Sequence, residues 1–251
     1  MKLTEKQREV VEGVKGHYVV LAGPGCGKTR TIIEKIAYLF KNHFIPEPYS
    51  LLALTFTDSA ARVMRSRLRS MGFNEWQRVW VGTFNSFGNY LLLRYGGDVG
   101  VKEDFGIVEK DVRLRILQRS IEAHSFDLNA PDELLSIENW KRSGIYPGEG
   151  DDRLSDEMQI VYKDYQEELR RMNLIDFGDQ VALSVRLLNS SKFVKRAYTR
   201  SFKYIDFIFI WSMPAPFQVF PANHSRIESI LQQITIVFQG ICVENNNRWN
   251  R

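Results

Sequence analysis

Cysteine is scarce in this chain, which has two among its 251 residues, Cys26 and Cys242. Two cysteines cannot form the disulfide framework of a small secreted protein, nor the cysteine cluster of a structural zinc site. The sequence therefore predicts a protein of the reducing cytoplasm. The N-terminal segment MKLTEKQREVV is charged and lacks the apolar stretch of a signal peptide, which favours the same location.

Long hydrophobic runs are absent as well. The most apolar stretch, residues 204–221, contains Asp206 and three prolines and is therefore a poor membrane span. We expect no membrane partner. With 44% hydrophobic and 25% charged residues, the composition is that of an ordinary globular protein. The net charge of +4 is only a weak indication of nucleic acid, because many basic proteins bind none.

The most informative local pattern is the glycine-rich stretch LAGPGCGKTRTI at residues 21–32. The preceding HYVVL is short, β-branched and apolar, which is typical of a buried strand. The following TRTIIEKIAYLF spaces its apolar residues as one face of a helix. A glycine-rich turn between a strand and a helix lets several backbone N–H groups face one anion, beside the positive end of the helix dipole. The stretch therefore predicts a phosphate-binding loop, with an ordinary glycine-rich turn as the alternative.

The spacing predicts a role for the residues of this loop. Ala22 stands where the usual pattern has glycine, and Gly27, Lys28 and Thr29 complete the pattern. We expect Lys28 to reach the β- and γ-phosphates of a bound nucleotide and the Thr29 hydroxyl to bind Mg²⁺, and we predict these two as catalytic residues. The phosphate loop as a whole is predicted to comprise Ala22, Gly23, Pro24, Gly25, Cys26, Gly27, Lys28 and Thr29, with Cys26 as a small filler.

Strand and helix patterns alternate along the rest of the chain. LLALTF and VWVGTF have the character of buried strands, and a helical stretch follows each of them. This alternation predicts an α/β fold with a parallel sheet covered by helices. From residue 97 to 196, amphipathic helix patterns follow one another with no clear strand between them, and FKYIDFIFI then returns to strand character. We therefore expect a helical insertion between residues 1–96 and 197–251.

Four further stretches resemble motifs of the UvrD/Rep-type superfamily 1 DNA helicases, in the family's order and spacing. LTEKQREVV resembles the adenine-reading Q motif, LLALTFTDSAARVMRSRL motif Ia, VGTFNSFG motif Ib, and LIDFGDQV the Asp-Phe-x-Asp segment before motif II. The resemblance implies a RecA-like P-loop NTPase domain, the first motor domain 1A, interrupted by the helical subdomain 1B. It implies an ATP-dependent helicase that moves 3′ to 5′ on single-stranded or partly duplex DNA. A small-molecule kinase is an alternative, against which motifs Ia and Ib speak.

The resemblance adds two residues to the predicted nucleotide site. Gln7 corresponds to the residue that reads adenine, and Arg30 to an arginine that lies against the base. Gln7 is also the third residue after Thr4, so that TEKQ is equally a helix capping box. Arg30 is alternatively a solvated helix residue.

Motifs Ia and Ib predict the DNA contacts. Thr55, Phe56 and Thr57 are expected at the carboxyl end of a strand, where open parallel sheets bind ligands. Arg62, Arg65 and Arg69 form a basic stripe that either contacts DNA phosphates or is simply solvated. Where the family has Asn-Lys this chain has Asp58-Ser59, a good helix N-cap that removes a cation and lowers the expected DNA affinity. The predicted DNA-binding residues are Thr55, Phe56, Thr57, Arg62, Arg65, Thr83, Phe84, Asn85 and Ser86.

The acidic pair of the family's motif II is not found after SFKYI. In the family its Asp holds Mg²⁺ and its Glu activates the attacking water, but this chain reads DFIFIWSMPAPFQVF. We expect Asp206 at the start of a strand, and the nearest substitutes in sequence are Asp176 and Asp179. The resemblance therefore predicts a helicase motor domain, with an inactive nucleotide- and DNA-binding fragment as the alternative. We expect this chain by itself to bind ATP and to hydrolyse it negligibly.

Overall fold

The structure, a computed structural model, describes residues 2–14, 18–21, 25–55, 57–72, 74–142, 155–208 and 218–221. For residues 18–21, 142, 205–208 and 218–221 it describes the backbone alone. These residues form two compact units. The α/β unit contains the described residues up to Phe84 and those from Arg196 to Pro221, and the helical unit contains those from Asn85 to Lys195. Their interpretation as subdomains 1A and 1B, with bounds at residues 96 and 196, stays a prediction.

The elements of the described ranges alternate between strand and helix at first and are mainly helical later. In chain order they are α1 (Glu5–Glu12), β1 (Tyr18–Leu21), α2 (Lys28–Lys41), β2 (Ser50–Thr55), α3 (Asp58–Ser70), β3 (Val79–Thr83), α4 (Phe84–Tyr95), β4 (Gly106–Ile107), α5 (Lys110–His124), α6 (Ala130–Arg142), α7 (Asp156–Arg171), β5 (Leu174–Ile175), α8 (Phe177–Ser190), α9 (Lys192–Ser201), β6 (Phe202–Ile208) and β7 (Gln218–Pro221). None of these described helices is both long and apolar enough to span a membrane.

Three strands of the α/β unit form a parallel sheet in the order β3–β2–β6. Thr55, which ends β2, is in register with Thr83 at the end of β3 and with Ile208 at the end of β6. The three carboxyl ends therefore meet at one edge of the sheet, and the predicted α/β fold with a parallel sheet is confirmed. β1 pairs with β7 in antiparallel orientation. The alternation of strand and helix patterns does not predict this pair, because it cannot show which later segment joins a given strand.

A cluster of buried side chains from α2, β2, α3 and β3 forms part of the core of the α/β unit. Ile36 and Leu39 of α2, Leu51 of β2 and Met64 of α3 are completely buried. Burying a side chain of this size stabilises a fold by about 1.5–3 kcal/mol. The predicted apolar face of α2 is confirmed, and it holds this helix against the sheet.

The helical unit has a core of its own, formed by α5, α6 and α7. Leu117, Ile137, Tyr162 and Tyr165 are completely buried in it. The amphipathic patterns of this region are therefore confirmed as helices. The unit also contains the short parallel pair β4–β5. Strands of two residues leave no alternation in a sequence, and the prediction of an all-helical insertion misses them.

Five buried or nearly buried residues at the start of α8 form what we call the ionic cluster. Lys141 Nζ lies 2.6 Å from Asp176 Oδ2 and 2.8 Å from Asp179 Oδ1. Tyr165 donates a hydrogen bond of 2.8 Å to Asp176 Oδ2, and Arg113 Nη2 lies 3.7 Å from the same atom. The cluster therefore joins α5, α6 and α7 to the first turn of α8.

Asp176 and Asp179 also form a capping box at the start of α8. The Asp176 side chain accepts a hydrogen bond of 2.9 Å from the backbone N–H of Asp179, and the Asp179 side chain accepts one of 3.1 Å from the N–H of Asp176. These bonds satisfy N–H groups that a helix leaves unpaired at its start. Both carboxylates are thus engaged in structural contacts, which argues against a role for these nearest substitutes in place of the acidic pair of motif II.

The two carboxyl groups of the ionic cluster have pKa values that are shifted in opposite directions. Burial by itself would raise the pKa of the Asp176 carboxyl, but Lys141 and Arg113 outweigh burial and lower that pKa. Burial raises the pKa of Asp179, and the charge of Asp176 adds to the rise while Lys141 opposes it. As the pH falls, Asp179 takes up a proton before Asp176 does. A lowered pKa stabilises the folded state above the unfolded pKa, and this stabilisation disappears as the pH falls through the folded value.

The ionic cluster generates a prediction for the variant Lys141→Met. Removing the cation leaves buried carboxylate charge without its closest partner, and we expect the free energy of unfolding to fall by about 3–5 kcal/mol. The measurement is urea denaturation at neutral pH, with Lys163→Met, an exposed lysine of α7, as the matched control. The difference in the free energy of unfolding between the wild-type chain and Lys141→Met should become smaller at acidic pH, because the carboxylates take up protons there. A loss no larger than that of the control would contradict the prediction.

Candidate nucleotide site and nucleic-acid surface

The glycine-rich turn ends with two glycines in the left-handed region of the backbone. Gly25 has φ +75° and Gly27 has φ +79°, values that side-chain-bearing residues rarely adopt. Gly27 is the N-cap of α2, so that this helix begins at Lys28. The predicted arrangement of strand, glycine turn and helix is confirmed. The predicted loop residues Ala22, Gly23 and Pro24 lie outside the described residues.

Lys28, Thr29 and Arg30 form the first turn of α2, and all three are half-buried. Arg30 Nε lies 3.9 Å from Glu34 Oε1, one helical turn further on, in a pair that is about one-third exposed. Such a pair is worth only about 0.2–0.5 kcal/mol, and it fits the interpretation of Arg30 as a solvated helix residue. The contact between Arg30 and a base stays a prediction.

Gln7 connects α1 to the glycine turn. Its Oε1 accepts a hydrogen bond of 3.0 Å from the N–H of Thr4, and Thr4 Oγ1 accepts one of 3.3 Å from the N–H of Gln7. The capping box predicted from TEKQ is therefore confirmed. Gln7 Nε2 also donates a hydrogen bond of 3.1 Å to the carbonyl oxygen of Cys26. The side chain predicted to read adenine thus lies at the predicted phosphate loop, next to a half-buried Cys26.

Glycine at position 27 suits this contact as well as the backbone angle. A Cβ at this position would lie 3.1 Å from Gln7 Nε2, so the Gln7 amide would have to shift by a few tenths of an ångström. Besides Gln7 and Gly27, a third residue connects α1 with α2. This residue is Lys35, which lies two turns along α2, is buried and was not predicted from the sequence. The available signal was its helical spacing, because Lys35 follows Ile32 by three residues and precedes Leu39 by four, on a helix whose buried face is otherwise uncharged.

The carboxyl edge of the sheet bears two predicted DNA-binding threonines. Thr55 is buried, and its hydroxyl donates a hydrogen bond of 2.9 Å to the carbonyl of Thr57. Thr57 is the N-cap of α3 and accepts a hydrogen bond of 3.2 Å from the N–H of Ala60. The cap is therefore Thr57, not Asp58 as the sequence suggests. Phe56 lies outside the described residues.

The predicted motif Ib residues lie at the junction of β3 and α4. Thr83 ends β3 and is nearly buried, whereas Phe84, Asn85 and Ser86 form the first turn of α4. Ser86 is exposed, and Phe84 and Asn85 are half-buried. A contact of these residues with DNA stays a prediction.

The basic stripe of α3 borders a surface depression. Ala61, Met64 and Leu68 lie in the core, and this places the arginines on the opposite, exposed side of the helix, as the spacing predicts. We call the feature the arginine depression, and its lining residues are Arg62, Arg65, Ser66, Arg69 and Ser70. The two serines are residues that sequence reasoning missed.

Two of the three arginines are held by the protein itself. Arg65 Nη1 donates a hydrogen bond of 3.4 Å to the carbonyl of Val81, and the Arg69 guanidinium lies 4.8 Å from the centre of the Trp76 ring. Arg62 has no hydrogen-bond or ion-pair partner among the residues that the structure describes. The depression therefore combines two oriented guanidinium groups with one that extends into solvent.

Asp206 is placed differently from the expectation. It is the fifth of the seven residues of β6, in register with Ala53 and two positions before Ile208. The expectation that it starts the strand is wrong, because β6 already begins at Phe202. The residues that follow β6 lie outside the described part up to Gln218. Within the described ranges, no three His, Cys, Asp or Glu side chains come together as a metal site.

Comparison with known proteins gives one family. The family model of the UvrD/REP helicase N-terminal domain matches residues 3–206. The chain is 34% identical over 213 residues to DNA helicase II of Haemophilus influenzae, an alignment that covers 81% of this chain and 29% of the relative. It is 31% identical over 211 residues to the ATP-dependent DNA helicase PcrA of Leuconostoc citreum, an alignment that covers 81% of this chain and 28% of the relative. It is 32% identical over 206 residues to DNA helicase II of Escherichia coli, and that alignment covers 80% of this chain and 28% of the relative.

These matches span less than a third of the length of the relatives. The residues matched by the family model include the glycine turn, β2, β3, the arginine depression and the ionic cluster. The family model alone matches well over half of the chain. The chain belongs to the UvrD/REP helicase N-terminal domain family.

Proposed function

We propose that this chain is the first motor domain of an ATP-dependent DNA helicase, which binds ATP with Mg²⁺ and single-stranded or partly duplex DNA. The glycine turn at the start of α2, with Gln7 hydrogen-bonded to it, is the observation on which the proposal rests. Relatives described as DNA helicase II and ATP-dependent DNA helicase PcrA support it. Movement from 3′ to 5′ and a cytoplasmic location are further parts of the proposal.

The phosphates of ATP would lie at the glycine turn. N–H groups at the start of α2 have no carbonyl partner within the helix, and the positive end of the helix dipole lies beside them. A Cβ at Gly25 would meet no described atom within 4 Å, so there is space next to the backbone for a phosphate. Lys28 would add a positive charge where the β- and γ-phosphates lie. These features fit a triphosphate.

Mg²⁺ would be held through Thr29. This ion prefers oxygen ligands, and in nucleotide sites it is bound by one or two protein oxygens together with phosphate oxygens. The hydroxyl of Thr29, directly after Lys28, is a donor of this type. When bound, the ion neutralises charge on the phosphates.

The adenine base would be read by Gln7. Its Nε2 bears two hydrogens, of which one is donated to Cys26, and its Oε1 has a second lone pair besides the one facing Thr4. The capping box and a base contact are therefore compatible. The same amide that caps the start of α1 would present one donor and one acceptor to the edge of the base.

DNA would lie along the carboxyl edge of the sheet and the arginine depression. Guanidinium and hydroxyl groups are the usual partners of backbone phosphates, and the depression contains three of the former and two of the latter. Arg65 is already oriented by the protein, which reduces the entropy that it loses on binding. Such contacts recognise the phosphate backbone and carry no sequence preference.

A second candidate function is binding of nucleotide and DNA without hydrolysis. It is favoured by the sequence after Ile205, which lacks the adjacent Asp-Glu pair, and by the structural engagement of Asp176 and Asp179 in the ionic cluster. Hydrolysis needs a carboxylate that holds the metal and a base that orients water. The two candidates share the binding sites and differ in turnover.

The nucleotide site is tested by Lys28→Ala. The change removes a charge-assisted contact worth about 1.5–3 kcal/mol, so the affinity for ATP should fall about tenfold to a hundredfold while the fold is kept. Isothermal titration calorimetry measures the affinity, and Lys41→Ala, an exposed lysine at the end of the same helix, is the control. Equal affinities of wild type and Lys28→Ala would refute the assignment.

The DNA surface is tested by Arg62→Ala and Arg65→Ala. Each change should reduce the slope of log affinity against log salt for single-stranded DNA by about 0.7, because one phosphate contact is lost. Arg67→Ala, on an exposed part of α3 outside the depression, should leave the slope unchanged. If Arg62→Ala and Arg65→Ala both keep the slope of the wild-type chain, as Arg67→Ala is expected to do, the stripe is only a solvated face.

Turnover separates the two candidate functions. We expect phosphate release from ATP to be negligible for this chain with and without single-stranded DNA, because no acidic pair follows Ile205. The assay is run beside Lys28→Ala. DNA-stimulated release that disappears in that variant would overturn the expectation and favour the active motor domain.

A further inference from the structure

Lys35 is a buried lysine that bonds to backbone carbonyls at the end of α1. It is 7% exposed, and its Nζ donates hydrogen bonds of 3.2 Å to the carbonyl of Val10 and of 2.9 Å to that of Gly13. The carbonyls at the end of a helix have no partner within it, and the negative end of the helix dipole favours a cation there. The last turn of α1 contains no basic residue, so α2 supplies this cation.

The contacts of Lys35 and Gln7 hold α1 at both ends. Near its start, Gln7 Nε2 donates to the carbonyl of Cys26, in the turn that precedes α2. Near its end, Lys35 binds Val10 and Gly13. Both attachments lead to the same helix, α2, and α1 packs against it. The position of the Gln7 amide relative to the turn is therefore set by the fit of one helix on the other.

The face of α2 that meets α1 explains how close this fit is. Gly27, Thr31 and Lys35 follow one another at intervals of four residues and lie on one side of the helix. Gly27 leaves room for the Gln7 amide, and Thr31 is buried. The long side chain of Lys35 then reaches the far end of α1. Tyr204 of β6 adds a hydrogen bond of 3.2 Å from its hydroxyl to the carbonyl of Val14.

We infer that Lys35 is a positioning residue for the base end of the nucleotide site. It fixes α1 on α2 so that the Gln7 amide stays at the glycine turn in the orientation that a base requires. The inference rests on the proposed function, because it concerns the same nucleotide site. On this inference Lys35 acts through the position of α1 and needs no contact with the nucleotide itself.

The test compares a ligand with a base and a ligand without one. For Lys35→Met, we expect the affinity for ATP to fall about threefold to tenfold, which corresponds to the weakening of one hydrogen bond between the Gln7 amide and the base. The affinity for inorganic tripolyphosphate, which has no base, should stay the same. Gln7→Ala should show the same pattern, and the double variant should lose no more than either single one, because both changes affect one contact.

Control variants separate positioning from a general loss of stability. Lys35→Arg keeps a cation with several donors and should restore most of the affinity for ATP. Lys41→Met, an exposed lysine of the same helix, should change neither affinity. If Lys35→Met does not fold, Tyr204→Phe serves instead, because it removes one hydrogen bond at the same end of α1 and should lower ATP affinity alone.

The outcomes distinguish this inference from the proposed function. A wild-type chain that binds neither ATP nor tripolyphosphate would overturn the proposed function, and the inference with it. Equal losses for both ligands in Lys35→Met, or effects of Gln7 and Lys35 that add, would overturn the inference and leave the nucleotide site in place. A loss for ATP alone that does not add to that of Gln7→Ala would support it.

Discussion

The left-handed backbone at Gly27 is the constraint on which the rest of the candidate nucleotide site depends. A residue with a side chain would be strained at φ +79° and would crowd the Gln7 amide. With glycine, α2 begins at Lys28, which determines where its first N–H groups, Lys28 and Thr29 point. The same small residue lets α1 approach. One position therefore affects both parts of the candidate site, the turn proposed for the phosphates and the amide proposed for the base.

The two units satisfy a buried lysine in different ways. Lys35 donates hydrogen bonds to two backbone carbonyls, which do not titrate. Lys141 binds two carboxylates, which take up protons as the pH falls. Both arrangements meet the requirement that a buried charge be hydrogen-bonded or paired. The start of α8 therefore depends on carboxylate titration.

The sequence predicts the features of this fold that arise from local pattern. The apolar face of α2, the strands β2 and β3 and the capping box at Gln7 all depend on residues close together in the chain. The sequence pattern places the cap of α3 one residue too late, because Thr57 and Asp58 are both good N-cap residues. The pairing of Lys141 with Asp176 joins residues 35 positions apart, and no periodicity encodes it. The antiparallel partner of β1 is likewise a long-range choice, and the position of Asp206 depended on where β6 begins.

The ionic cluster has a consequence for how such a sequence can change over time. Asp176 caps α8 and binds Lys141, and Asp179 shares both tasks, so a substitution at one of these three positions alters the surroundings of the other two. A chain that exchanges Lys141 for an uncharged residue recovers the lost stability when a carboxylate of the cluster is exchanged as well. Among related chains, these positions are therefore expected to vary together, and the pattern of their covariation would trace the contact between α6 and α8 without any structure.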